Sequence, residues 1–186
     1  MRRLSVFNSV TVDGYFTDKN GDMSWAHKQD DPEWNAFTAE NAKSGGELLF
    51  GRVTYDLMAS FWPTPAAAKI APEVAENINN AKKVVFSRSM EKAEWNNTRV
   101  IKGDLAGEIR KLKEQPGDGL VLMGSGSIIS QIALESVIDE YQMVVNPIAL
   151  GKGRTMFDGI KDKLNLTLTS TRAFKNGNVL LSYKNS

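Results

Sequence analysis

From Arg2 to Ile148 the chain alternates short apolar runs with segments that read as helices, and this alternation constrains the fold more than any other feature. RRLSVFNSVTV, ELLF, KKVVFSRS, TRVIKG, LVLM and IDEYQMVVNPI carry the β-branched and aromatic residues of strands. Between them lie PEWNAFTAENAK, with proline in its first turn and Trp34 and Phe37 spaced three apart, and YDLMASFW, stopped by Pro63 and Pro65. A helix from Pro72 to Asn80 follows, then DLAGEIRKLKEQPG, opened by an aspartate cap, and SIISQIALES. Parallel strands must be joined by crossovers long enough to hold a helix, so the alternation implies a parallel sheet with helices on its faces. The C-terminal stretch breaks the pattern. LNLTLTSTRAFKNGNVLLSYKN holds two alternating strands about Asn176-Gly177, the strongest hairpin signal in the chain. The expectation is a three-layer α/β fold, 1–186 as a single domain, with a mixed, mostly parallel sheet and a C-terminal antiparallel hairpin.

Composition narrows the function classes. With 23 basic and 22 acidic residues the net charge is +1, and their scatter leaves no broad basic field for a nucleic-acid backbone. The absence of cysteine excludes disulfides, thiolate metal sites and a cysteine nucleophile. No run approaches the roughly 18 apolar residues of a membrane span. MRRLSVFNSVTVDGYF is interrupted by Asn8, Ser9, Thr11 and Asp13 before a signal core can form. A soluble, cytoplasmic protein with no nucleic-acid or membrane partner is therefore expected. His27 is the only histidine and no G-x-S-x-G elbow occurs, so a hydrolytic triad has little support.

Three motifs sit at strand ends, where open α/β sheets bind ligands. In VLMGSGSIISQ, Gly124, Ser125, Gly126 and Ser127 separate a strand from a helix; free amides and small residues there suit a phosphate, or form a plain tight connection. Position 129 is isoleucine, which excludes the dinucleotide fingerprint, and no lysine precedes the serine, which excludes a P-loop. In FGRVTY, Gly51, Arg52 and Thr54 could hold a pyrophosphate or be a surface arginine and a helix cap. In VVFSRS, Ser87 and Arg88 stand where an arginine can select a 2′-phosphorylated nicotinamide cofactor. Asp30, Asp31 and Glu33 lie before or within the first turn of the first helix, where acids favour the helix dipole or could donate a proton. Trp25 reads as a loop plug or a pocket residue.

TVDGYF, LLFGRVTY, VVFSRS, LMGSGSI and DEYQMVVNPIALGKGRTMF, in that order, resemble dihydrofolate reductase. More closely they resemble the reductase domain of the bifunctional riboflavin-biosynthesis deaminase-reductase and its stand-alone relatives. The resemblance runs from Arg3 to about Tyr183, and Pro147 with Gly151-Lys152-Gly153-Arg154 looks like the riboflavin branch. It implies an NADPH-dependent oxidoreductase delivering hydride to a pterin-like or ribosylamino-pyrimidine small molecule, with dihydrofolate reductase or a catalytically silent nucleotide-binding module as alternatives. It places Gly51, Arg52 and Thr54 near the cofactor phosphates and Ser87 and Arg88 near the 2′-phosphate. Gly124, Ser125, Gly126, Ser127 and Ile128 would cover the pyrophosphate and approach the nicotinamide. Asn8, Asp13 and Trp25 would border the substrate, and Asp30, Asp31, Glu33 or an ordered water would supply the proton. The family often has consecutive glycines and a cis bond at the cofactor turn, where this chain has Gly124-Ser125. Relatives are often homodimers, which the C-terminal strands could serve.

Overall fold

The computed structural model describes residues 1–27 and 31–186. The apolar runs become β1 (Leu4–Thr11), β3 (Glu47–Gly51), β4 (Lys83–Phe86), β5 (Thr98–Ile101), β6 (Leu120–Leu122) and β7 (Glu140–Asn146); β2 (Tyr15–Thr17) and β8 (Arg154–Thr155) form a separate two-stranded sheet. The helices are α1 (Pro32–Lys43), α2 (Arg52–Phe61), α3 (Pro65–Ile70), α4 (Pro72–Asn80), α5 (Leu105–Glu114) and α6 (Gly126–Ile132), and the C-terminal hairpin is β9 (Leu166–Ala173) and β10 (Val179–Asn185). Local chemistry sets the helix starts. Asp31, Thr64 and Asp104 cap α1, α3 and α5 through their side chains, while prolines open α1, α3 and α4.

The main sheet runs β5-β4-β3-β6-β1-β7-β10-β9. Every pairing from β5 to β7 is parallel, and β7–β10 and β10–β9 are antiparallel, as the alternation and the Asn-Gly hairpin together imply. Six parallel strands put six carboxyl ends on one edge, which is where the three candidate motifs lie.

Side-chain alternation divides the sheet into two faces. On one, Leu4, Val6, Leu49, Val84, Leu120 and Leu122 pack under α5 and α6 in a single large core. On the other, the packing is split. Leu48, Phe50 and Val85 join Tyr55, Ile78 and Trp95 beneath α2 and α4, whereas Val144 and Leu180 join Trp34 and Phe174 beneath α1. The two clusters stay separate, so a groove crosses this face between α1 and α2.

Some elements depart from expectation. SIISQIALES was expected to be helical throughout, but α6 ends at Ile132, because Ser136 takes φ 52° and returns Val137 and Ile138 to the core. The short α3 lies in a segment expected only to stop a helix. The β2–β8 pair is antiparallel and too short to show periodicity, and a Cβ on Gly153 would collide with the Thr17 carbonyl oxygen.

Candidate cofactor and substrate site

The carboxyl ends of β3 and β6 are stitched together. Gly51 N–H donates to the Gly124 carbonyl at 2.8 Å, and Met123 N–H donates to the Leu49 carbonyl at 3.1 Å. A Cβ on Gly51 would lie 2.6 Å from Ser125 Oγ and 2.9 Å from Ile128 Cγ1. Since Gly51 has φ −77°, its glycine is required by space rather than by conformation. Gly124, at φ 108°, needs glycine for conformation, and the Gly124-Ser125 bond is cis, as the family pattern implies. On the far side of the turn a Cβ on Gly126 would meet Phe16 Cε1 at 2.8 Å, so the start of α6 rests on β2.

This stitching brings two helix N-termini together. Gly51 and Ser125 are the N-caps of α2 and α6, and neither helix receives a side-chain cap. Their first amide groups are left for another acceptor, in contrast to α1, α3 and α5. The uncapped α4 starts elsewhere, and its first-turn proline removes one donor. Ser125 Oγ and Ser127 Oγ share a 2.8 Å hydrogen bond across the turn, Ile128 is buried behind it, and Thr54 Oγ1 lies 3.1 Å from where a Cβ on Gly124 would stand.

The second and third motifs also meet. Arg52 Nη1 donates to Ser89 Oγ at 2.9 Å, joining the start of α2 to the loop after β4. Ser87 N–H donates to the Ile101 carbonyl, and Ser87 Oγ accepts from Met90 N–H at 3.0 Å, which shapes that loop. Arg88 is exposed and pairs with no described residue. An exposed cation therefore lies in the loop that Arg52 ties to the start of α2. A close-packed glycine turn, two helix starts without side-chain caps and adjacent arginines fit a phosphorylated dinucleotide.

Next to this edge the groove between α1 and α2 has an apolar lining: Phe7, Trp34, Leu57, Met58, Phe61 and Met123. Sequence reasoning assigned Trp34 to helix packing and did not single out the others; only the separation of the two clusters exposes them. β6 pairs with β1 no further than Val6↔Leu122, so beyond that point β1 lines the groove with Asn8 and Ser9. Asn8 is 5% exposed, and its Nδ2 has no hydrogen-bond partner among the described residues. A buried amide donor without an acceptor costs about 1–3 kcal/mol, and this one belongs to a residue that lines the groove. Trp25 sits on a 3₁₀ turn, Ser24–His27, with Nε1 buried and unpartnered, and its neighbours Met23, Ser24 and Ala26 line the groove.

Among the described acids, Asp31, Glu33 and Asp13 each have partners within the fold. Asp30 lies outside the described residues. Asp31 is buried: Oδ1 accepts from Glu33 N–H at 2.9 Å and Oδ2 from Asn176 N–H at 3.1 Å, so it caps α1 and ties it to the C-terminal hairpin. Burial alone would raise its pKa, but the amides of Asn176, Glu33, Trp34 and Lys175 outweigh it and hold the carboxyl below its ordinary value. A group kept ionised in this way is a poor proton donor. Glu33 forms a half-exposed ion pair with Arg172 at 2.9 Å. Asp13 accepts from Thr11 Oγ1 at 2.5 Å and from Gly151 N–H at 2.7 Å, with Leu150 N–H adding a further bond; these lower its pKa and latch the β1–β2 turn to the loop after β7.

Comparison with known proteins agrees with this geometry. The family model described as the RibD C-terminal domain matches residues 2–180. The uncharacterized protein YyaP of Bacillus subtilis (strain 168) is 29% identical over 182 residues, covering 98% of this chain and 94% of that protein. A diaminohydroxyphosphoribosylaminopyrimidine deaminase/5-amino-6-(5-phosphoribosylamino)uracil reductase of Thermotoga maritima superposes with a TM-score of 0.70 at 16% identity, covering 100% of this chain and 57% of that one. A dihydrofolate reductase of Enterococcus faecalis, solved with NADP(H), superposes with a TM-score of 0.62 at 14% identity, covering 99% of this chain and 96% of that one. The likeness to the two solved structures establishes a shared dihydrofolate-reductase-like fold.

Proposed function

The chain belongs to the RibD C-terminal domain family, and on that premise we propose that it is an NADPH-dependent reductase of a small molecule. The observation that carries this reading is the Gly51–Gly124 stitch, which aims the uncapped starts of α2 and α6 at one place beside Arg52 and Arg88. The amides of those two helix starts hold the pyrophosphate, Thr54 lies beside it, and Ser87 and Arg88 take the 2′-phosphate. The cofactor, when bound, supplies a hydride. The chain supplies alignment and dryness: Phe7, Trp34, Leu57 and Met123 exclude water from the acceptor and hold it against the cofactor turn. With Asp31 committed to backbone amides, an ordered water is the better proton source.

Support for dihydrofolate as substrate is weaker. A pterin-holding acid needs an open carboxylate at the first helix, and of the candidates among the described residues Asp31 is capped into the fold and Glu33 is paired with Arg172, while Asp30 lies outside them. A homodimer, if formed, would use β9, an edge strand whose residues after Leu166 are exposed; sedimentation reads this directly.

The experiment is a calorimetric titration with NADPH and NADH. Micromolar NADPH binding is expected, with Arg88→Ala weakening NADPH about tenfold or more while leaving NADH nearly unchanged, the usual size of a lost charge-assisted contact. Absence of binding at millimolar NADPH would refute the proposal. Tight binding with no turnover across pterin, pyrimidine and quinone panels would favour the silent nucleotide-binding module.

A further inference from the structure

The groove also carries information about what is reduced. Its cations among the described residues are Arg2, Lys43, Lys82, Lys83 and Arg99, and they stand at the amino-terminal end of the sheet. Glu47 opens β3 there, and the five residues to Gly51 span about 13–17 Å, so these charges are far from the cofactor turn. Most are already engaged. Arg2 and Arg99 both pair with the buried Glu47, at 2.9 and 3.0 Å, and Lys43 pairs with Glu73 at 2.7 Å. Lys83 donates to the carbonyls of Asn79, Ala81 and Asn96. Arg52 and Arg88 do not line the groove, and the acid beside Met23 and Ser24 is Asp22, whose sign would repel a phosphate. What the groove offers next to the cofactor turn is aromatic and aliphatic surface plus the neutral polar groups of Asn8, Ser9 and Thr54, of which Asn8 Nδ2 is buried without a partner among the described residues.

Resting on the reading of this site as an NADPH reductase, we propose that its acceptor is an uncharged, planar ring compound bearing a carbonyl, with no phosphate, and that Asn8 donates its side-chain N–H to that carbonyl. A flat ring matches the slot between Trp34 on α1 and Leu57 and Phe61 on α2, and aromatic and aliphatic walls gain most from a neutral guest. A phosphate brought here would lose its hydration without a cation in reach among the described residues, which is costly. Asn8 carries a dipole and no charge, and a carbonyl supplies the acceptor that its Nδ2 lacks. In the reaction an electrophilic carbon conjugated to the carbonyl takes hydride from NADPH, which becomes NADP⁺. The displaced π pair moves to the carbonyl oxygen, where the Asn8 N–H steadies the growing charge, and a proton from water completes the reduced product.

Binding can be read apart from turnover, with NADP⁺ saturating the cofactor side and two probes titrated separately: 2-methyl-1,4-naphthoquinone as a neutral ring carbonyl, and uridine 5′-monophosphate as a phosphorylated one. The quinone should bind at least tenfold more tightly than the nucleotide, with little dependence on salt. Asn8→Leu, of nearly the same volume, should weaken the quinone about fivefold to tenfold, the loss of one hydrogen bond. Because the Asn8 side-chain Nδ2 makes no hydrogen bond among the described residues, the same substitution should leave the Tm unchanged or raise it; a fall in Tm with unchanged quinone affinity would make Asn8 a structural residue and overturn its role. Tighter binding of uridine 5′-monophosphate, weakened by salt, would overturn the proposed class while leaving the NADPH reading intact. Failure of both probes to bind a protein that holds NADP⁺ would also overturn it. Failure of NADP⁺ and NADPH themselves would remove the reading on which it rests.

Discussion

Gly51→Ala tests the stitch that assembles the cofactor edge. The backbone at Gly51 (φ −77°, ψ 160°) accepts alanine without conformational strain, so the effect is purely steric. The new methyl would stand 2.6 Å from Ser125 Oγ, 2.9 Å from Ile128 Cγ1 and 3.2 Å from Ser125 N. Ser125 Oγ can rotate away by giving up its bond to Ser127 Oγ, but Ile128 is buried and Ser125 N is backbone, so the turn itself must move. Overpacking of this kind costs about 1–3 kcal/mol, a fall in Tm of roughly 2–12 °C for a chain of this size. The displacement also separates the N-termini of α2 and α6, so NADPH affinity should fall by about tenfold or more. Adding Ser125→Ala removes the nearest clash but not the other two, so it should recover only part of the stability. Urea unfolding and cofactor titration on the two single variants and the double variant read both effects. Wild-type stability and affinity in Gly51→Ala would refute the close approach and the cradle built on it.

Other outcomes follow from the same geometry. Burial pulls Lys83 down from 10.5 to about 8, so its charge is a liability below pH 8 that eases as pH rises toward 10.5; stability to urea should climb from pH 8 to 10. Buried Tyr141, pushed up to about 12, reverses that trend only above pH 10, where the unfolded chain ionises first. Lys83→Met should abolish the climb and, by stranding three carbonyls, lower stability at pH 7 by about 1–3 kcal/mol. The Asp31 carboxyl, held below 3.8, stabilises the fold above that pH and loses its contribution as pH falls through the lowered value; Asp31→Asn should flatten the acid limb of a Tm-against-pH curve and leave turnover per folded molecule unchanged. Glu33→Gln breaks only a half-exposed pair, so urea midpoints should shift by less than about 1 kcal/mol equivalent, with kcat intact.

Much of this fold was legible because its signals are local. Strand and helix periods, proline starts, the Asp104 cap and the Asn176-Gly177 turn each act within a few residues, and the order of elements then leaves few sheet topologies. The cofactor motifs were legible for the same reason, since each spans a single strand end. What escaped depends on distant partners. That Gly51 must be glycine follows from Ser125 and Ile128, more than 70 residues away. Neither the tie of Asp31 to Asn176 nor that of Asp13 to Gly151 shows in a local pattern, since each joins residues more than 130 positions apart. The groove is the most distant property of all: Trp34 and Leu57 read as ordinary helix residues until the sheet face is seen to carry two clusters with a gap between them.

The most direct measurement is a crystal structure with NADPH bound. The pyrophosphate should lie within hydrogen-bonding distance of the first amides of α2 and α6, the 2′-phosphate against Ser87 and Arg88, and the nicotinamide ring between the Gly124 turn and Asn8, facing the apolar groove. Density for the cofactor anywhere else on the chain, or a nicotinamide turned away from that groove, would contradict the site.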